Sequence, residues 1–385
     1  MDDYWNNFLR KITKQKDLTS IGFSNVIGTA ISAIFWLYLA SLILPESYGE
    51  IHYFLGIAGM AQVISLIGAT NTLTVYTAKK IKIQSTLFLV SIFALAISAL
   101  VIIIIFYRFD VALLAFGYVI FELLNSVLLG RKLFLKYSKF FLIQKILTLT
   151  LGIGFYYALG VDGIILAIAL SFIPYLVLFI SEFRKTKIDF PLLVPRKGFI
   201  INNYVMSMIG SSGSQIDKLI IAPLLGFALL GNYSLALQIF AVMIVFSSIV
   251  YKYLLPQDAS GKSNNTLKKV TVLISIGISV LGIALSPLVI PELFPKYIET
   301  IGAVQILGIA VVPSTVTMLY TSKFLSLEKS RFVLISKAIS VSMLIVGFII
   351  IGPIFGIIGL SIVFVFTATF EASFLFSISK IKKLV

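Results

Sequence analysis

The chain has 385 residues, a mean hydropathy of +1.05 and 12% charged residues, about half the roughly 25% of a soluble domain, which excludes a soluble globular protein. Its net charge of +15 would suit a nucleic-acid binder, but the basic residues sit in short loops between apolar runs, where they report topology instead, so no nucleic-acid partner is expected. With no cysteine and one histidine, His52, disulfides, a Cys nucleophile and Cys- or His-rich metal centres are excluded, and no cofactor is expected.

Residues 1–19 read as a polar cytoplasmic arm with Arg10, Lys11, Lys14 and Lys16, and no cleavable signal peptide is expected. Twelve apolar segments follow, at 20–44, 50–77, 84–106, 111–130, 140–159, 161–181, 200–226, 232–254, 270–291, 300–325, 331–351 and 354–379. Each can cross a hydrocarbon core of about 30 Å at about 1.5 Å per residue. The runs are continuous rather than alternating, which predicts helices and not a barrel. The expected fold is therefore an all-α polytopic membrane protein of twelve transmembrane helices. The basic linker 182–199, with Pro191 and Pro195, divides it into six-helix bundles at 20–181 and 200–379, and 380–385 form a tail.

The charges alternate by loop. The arm, every second loop and the tail hold 27 of the 31 basic residues. The opposite loops hold only Arg108 and Lys296, against Glu46, Glu50, Asp110, Asp162, Glu292 and Glu299. By the positive-inside rule both termini are expected in the cytoplasm, with the chain multi-pass in the inner (cytoplasmic) membrane. A shift of 182 residues lays the first hairpin over the seventh and eighth segments: Gly28 meets Gly210, Ser32 meets Ser214, Ala40 meets Ala222 and Gly49 meets Gly231. Six helices per half give both halves one orientation, a parallel pseudo-repeat of the kind some transporters use.

Three stretches carry a family resemblance. The first hairpin turns through LILPESYGEIHYF, Leu42 to Phe54. The seventh segment reads DKLIIAPLLG, Asp217 to Gly226, followed by GNYSLALQ, Gly231 to Gln238. After the ninth comes the turn Phe294-Pro295-Lys296-Tyr297. Together these resemble the polysaccharide (O-antigen, Wzx-type) flippases of the multidrug/oligosaccharidyl-lipid/polysaccharide exporter superfamily, whose relatives include the multidrug and toxin extrusion transporters. The resemblance implies a non-enzymatic flippase working by alternating access. Its substrate would be an undecaprenyl-diphosphate-linked oligosaccharide, its tail staying in membrane lipid, with a coupling proton or sodium ion and polysaccharide polymerase or assembly proteins as partners. A multidrug-type cation antiporter of the same fold is the alternative. A membrane polysaccharide polymerase or ligase is a second, for which the short outer loops offer little room.

Charges inside the spans are the candidate site, because each costs at least about 2.5–3.5 kcal/mol at mid-bilayer unless paired, hydrated or neutralised. Glu122 and Asn125 share a face of the fourth segment, either as a coupling site or as a packing device with Lys145 of the fifth. Asp217 and Lys218 are neighbours whose side chains should diverge by about 100° around a helix, one toward the cleft and one toward a neighbouring helix. The functional reading has Lys218 meet the diphosphate; the structural one makes the pair an interhelical register device. Lys145 lies near enough to the inner boundary to snorkel. Glu371 lies deeper, as a functional group or a structural pair. His52 reads as an interfacial residue at the outer rim. The amides Asn25, Gln62, Asn71, Gln144, Gln215, Gln238 and Gln305 suit sugar hydroxyls or helix–helix contacts.

Overall fold

The computed structural model describes residues 2–212, 215–259 and 264–381. Outside that description lie Gly213 and Ser214, Lys262, Lys382 and Lys383, as do the arm's side chains, Arg10, Lys11, Lys14 and Lys16 among them. The described chain is helical: α1 (Asp2–Leu42), α2 (Pro45–Leu66), α3 (Ala69–Ala78), α4 (Gln84–Phe106), α5 (Phe109–Gly130), α6 (Phe134–Leu159) and α7 (Gly163–Leu170). There follow α8 (Ile173–Phe183), α9 (Lys197–Ser212), α10 (Ile216–Leu225), α11 (Phe227–Ala259), α12 (Asn265–Leu293), α13 (Thr300–Ser326) and α14 (Ser330–Ile381). Short 3₁₀ turns cover Pro191–Arg196 in the linker and Pro295–Tyr297.

Among the described residues nine helices are long and apolar enough to cross a membrane, or ten if α2 and α3 form one bent span. The 52-residue α14 counts once there although Gly356, at φ 56° and ψ −138°, divides it. With that division, eleven of the twelve expected segments have a counterpart among the described residues; the seventh, 200–226, falls on α9 and α10, with residues 213–214 between them outside the description. The chain is an all-α, multi-pass membrane protein.

Several boundaries differ from expectation. The first helix begins at Asp2, not at 20, so the arm is helical in backbone. The second span starts at Pro45, which sets φ for the first turn, with Glu46 beside the positive helix end. It then bends by 48° where Ile67 and Gly68 take φ of 46° and 71°. Gly68 is needed twice over: its φ is left-handed, and a Cβ there would lie 2.5 Å from the Ile200 carbonyl oxygen. The sixth span is interrupted at Ser171–Phe172, between α7 and α8.

The chain divides into two compact units, 1–35 with 57–208, and 36–56 with 209–385. In the first, α5 is the central helix: 72% of its apolar window is buried, against 22% for α4. In the second, α13 packs against α11, α12 and α14.

The second unit takes in residues 36–56, the far half of the first hairpin, and the reason is a glycine contact. A Cβ on Gly49 would overlap the Phe227 carbonyl oxygen, and one on Gly231 would overlap that of Pro45. Pro45 and Phe227, like Gly49 and Gly231, are 182 residues apart. The contact is therefore reciprocal, as across a two-fold axis, and the weak repeat in the sequence is also a spatial one.

Candidate functional site

In the first unit the deepest candidate is Glu122, on the central helix α5. It is half-buried and makes no ion pair within 4 Å among the described residues. Tyrosines and amides surround it instead. Tyr175 of α8 donates to Asn125 Oδ1 at 3.1 Å, one turn along from Glu122. Tyr137 of α6 is hydrogen-bonded to the Asn25 side chain of α1, and both tyrosines lie near Glu122. Phe121 and Phe140 pack on Tyr175 at 4.9 and 5.7 Å between ring centres, closing the apolar side. Glu122 and Asn125 thus share a polar cluster, as their spacing predicts.

Lys145 does not join it. The structural alternative, a pair of Glu122 with Lys145, does not form among the described residues: the ammonium stands 5.5 Å from the ring centre of Phe141, one turn back on α6. A cation over an aromatic face is stabilised without a carboxylate.

In the second unit, Asp217 and Lys218 do not diverge. Lys218 Nζ lies 3.1 Å from Asp217 Oδ1, and the same oxygen accepts the Lys218 backbone N–H at 2.8 Å. The expected continuous helix fails here. It breaks at Gln215, α10 starts at Ile216, and Asp217 falls in the first turn, where a carboxylate folds back onto open N–H groups. The flexible lysine then reaches it. Lys218 also packs on Gly56, where a Cβ would lie 3.1 Å from its Cβ.

His52 is not at a wet rim. It is 4% exposed, with ring centres 4.7 Å from Trp36 and 4.5 Å from Tyr48, and its Nε2 is buried without a hydrogen-bond partner. Glu371 takes the structural alternative, with Lys337 Nζ at 3.8 Å. Among the amides, Asn71 donates to Asn203 at 3.1 Å and Gln144 bonds Thr148 and Ser171, so both tie helices together.

Two polar knots escaped sequence reasoning. At the basic end of the first unit, fully buried Glu182 binds Arg131 at 2.8 Å and Lys185 at 2.6 Å, while Gln84 bridges Arg131 and the Glu182 carbonyl. At the basic end of the second, Asp258 binds Lys268 and Ser322, both at 2.8 Å, and Lys323 donates to Ser379 at 2.9 Å. The first knot ties the ends of the third, fourth and sixth spans, and the second those of the eighth, ninth, tenth and twelfth. Their only sequence signal was an acid beside the lysines of a basic loop.

At the lysine-poor end of the second unit the Phe-Pro-Lys-Tyr turn finishes α1. Lys296 donates to the Leu42 carbonyl at 2.8 Å and Tyr297 to that of Ile43 at 3.3 Å, satisfying acceptors that a helix end leaves open.

No family model matches the chain, and no curated protein matches it significantly. Solved structures do match, along nearly the whole length. An inward-facing multidrug resistance transporter of the MATE family, in the MOP superfamily, aligns with a TM-score of 0.73 at 15% identity, covering 93% of this chain and 94% of its own. An outward-facing transporter of the same description gives 0.63 at 18% identity, over 96% and 95%. A MOP superfamily transporter from Pyrococcus furiosus, described as having a binding pocket of reverse polarity that suggests a different function, gives 0.60 at 14%, over 95% of each. The chain has the multidrug-and-toxin-extrusion fold.

Proposed function

We propose that this chain is a membrane transporter working by alternating access. Its proposed substrate is an undecaprenyl-diphosphate-linked oligosaccharide, flipped across the cytoplasmic membrane with both termini on the cytoplasmic side. The observation that carries the reading is the distribution of charge inside the spans. Asp217 and Glu371 each lie against a lysine, whereas Glu122 sits among hydroxyls and amides without a cation. Such a carboxyl suits a coupling proton or sodium ion, since an intramembrane charge is tolerated when something neutralises it. Two of the three acids are already engaged by lysine, which leaves a cation exporter only Glu122 as an open intramembrane acid. Lys218 is the proposed diphosphate ligand, exchanging Asp217 for the substrate. The turn motifs at Leu42–Phe54, Asp217–Gly226 and Phe294–Tyr297 support the substrate class.

A second reading, export of small organic cations, is favoured by the multidrug resistance transporters among the matching structures. Proteoliposomes under an imposed proton or sodium gradient separate the two. Movement of a labelled lipid-linked sugar supports the first; movement of an organic cation alone overturns it. Under either reading Glu122→Gln should lower gradient-driven transport roughly 5–150-fold, the range of a site-to-site coupling energy. Its thermal midpoint should stay unchanged, since no ion pair is lost.

A further inference from the structure

In the second unit, the lysine-poor ends of α1, α11, α12 and α13 enclose a cavity of about 430 Å³. Its walls include Leu37 and Tyr38 of α1, Val242 and Met243 of α11, and Leu285 and Val289 of α12. Its two serines present no free donor: Ser41 donates to the Tyr38 carbonyl at 2.7 Å and Ser286 to the Ile283 carbonyl at 3.0 Å. Val242, Leu285 and Val289 are 45%, 47% and 41% exposed, so the cavity opens sideways between the helices of the second unit. A void lined in this way selects hydrocarbon.

The mouth carries the second half of the site. Leu293 and Phe294 line the cavity, and exposed Lys296 follows them; its ammonium lies 2.8 Å from the carbonyl oxygen of Leu42, which adjoins the lining residue Ser41. Lys296 makes no ion pair among the described residues. Lys296 gives one hydrogen bond to the helix end, and its ammonium has two further donors.

We infer that this groove is a binding site for an anionic glycerophospholipid of the leaflet opposite the basic loops, with one acyl chain in the α1–α11–α12 cavity and the phosphate on Lys296. One chain is what the volume admits. Because α1 forms one wall, a bound chain also braces residues 37–41 against α11 and α12 within the second unit. The site stands whether or not the transport reading does.

The test uses the full chain in phosphatidylcholine vesicles containing phosphatidylglycerol with a diazirine on one acyl chain. Diacylglycerol carrying the same diazirine is the phosphate-free comparator, and labelled residues are mapped after photolysis. Phosphatidylglycerol should label 242–243 and 285–293 above other lipid-facing segments. Lys296→Gln should reduce that labelling about fivefold, the worth of one lysine near a membrane surface, Lys296→Arg should keep it, and neither should alter diacylglycerol labelling. Val289→Trp should remove labelling by both probes. Even labelling over all apolar helix faces, or phosphatidylglycerol labelling indifferent to Lys296→Gln, overturns the site. Displacement of the probe by an equal mole fraction of undecaprenyl phosphate also overturns it, by making the carrier lipid the occupant. The Lys296 variants lie outside the spans and decide the matter even if Val289→Trp does not fold.

Discussion

Asp217 and Lys218 show how much a single residue's surroundings change its meaning. In an unbroken helix they would point apart and each would need its own partner. At a helix start the carboxylate serves backbone N–H, ammonium and helix dipole together. A double-mutant cycle over Asp217→Asn and Lys218→Gln should therefore return a coupling of about 0.5–3 kcal/mol in thermal stability. The transport role is tested separately. Lys218→Ala should impair translocation more than Lys145→Ala at equal expression, because the Lys145 ammonium rests on Phe141 and serves no acid. Equal losses would return the Asp-Lys pair to helix packing alone. Of the candidate residues, Glu122 and Asn125 were legible as a pair because i and i+3 share a helix face whatever surrounds them. Tyr137 and Tyr175 were not, since tyrosines in an apolar run look alike until the other helices are placed.

At the scale of elements, the second unit depends on two backbones meeting at Gly49 and Gly231. Substitution there cannot be absorbed by a side-chain rotation, because the opposing atoms are carbonyl oxygens. Gly231→Val should lower stability by about 1–3 kcal/mol, the usual cost of overpacking. Gly277 of α12 has nothing within 4 Å of a would-be Cβ, and Gly277→Ala should raise stability by about 0.5–1 kcal/mol through backbone entropy. Thermal unfolding in detergent measures both, and equal effects would mean that the glycine contact does not form. The Glu182 knot is tested by proteolysis. Glu182→Ala removes the acceptor shared by Arg131 and Lys185, so trypsin should cut the linker at 184–197 faster than in the parent chain.

For the whole molecule, the charge of the loops predicts an orientation that labelling tests. The native chain has no cysteine and is a ready background for single-cysteine labelling. In intact cells a membrane-impermeant maleimide should modify Glu46→Cys and Asp162→Cys but not Lys132→Cys or Lys187→Cys. The opposite pattern would invert the topology. The fold itself was readable in outline because bilayer thickness imposes a segment length, and the lysine count of a loop depends on no other part of the chain.

The all-helical, multi-pass character of the chain was thus legible in the sequence alone, since hydropathy and loop charge are local properties, whereas the assignment of residues 36–56 to the second compact unit was not. Only the tertiary structure decided the helix breaks at Ile67–Gly68 and Gln215, the burial of His52 between Trp36 and Tyr48, and the partner of each intramembrane charge. These depend on which helices come together, and a backbone breaks or a charge is neutralised only where another helix supplies the missing contact. The pairing of Gly49 with its own repeat mate Gly231 belongs to both levels. The repeat was visible in the residues; that its two copies touch was visible only in space.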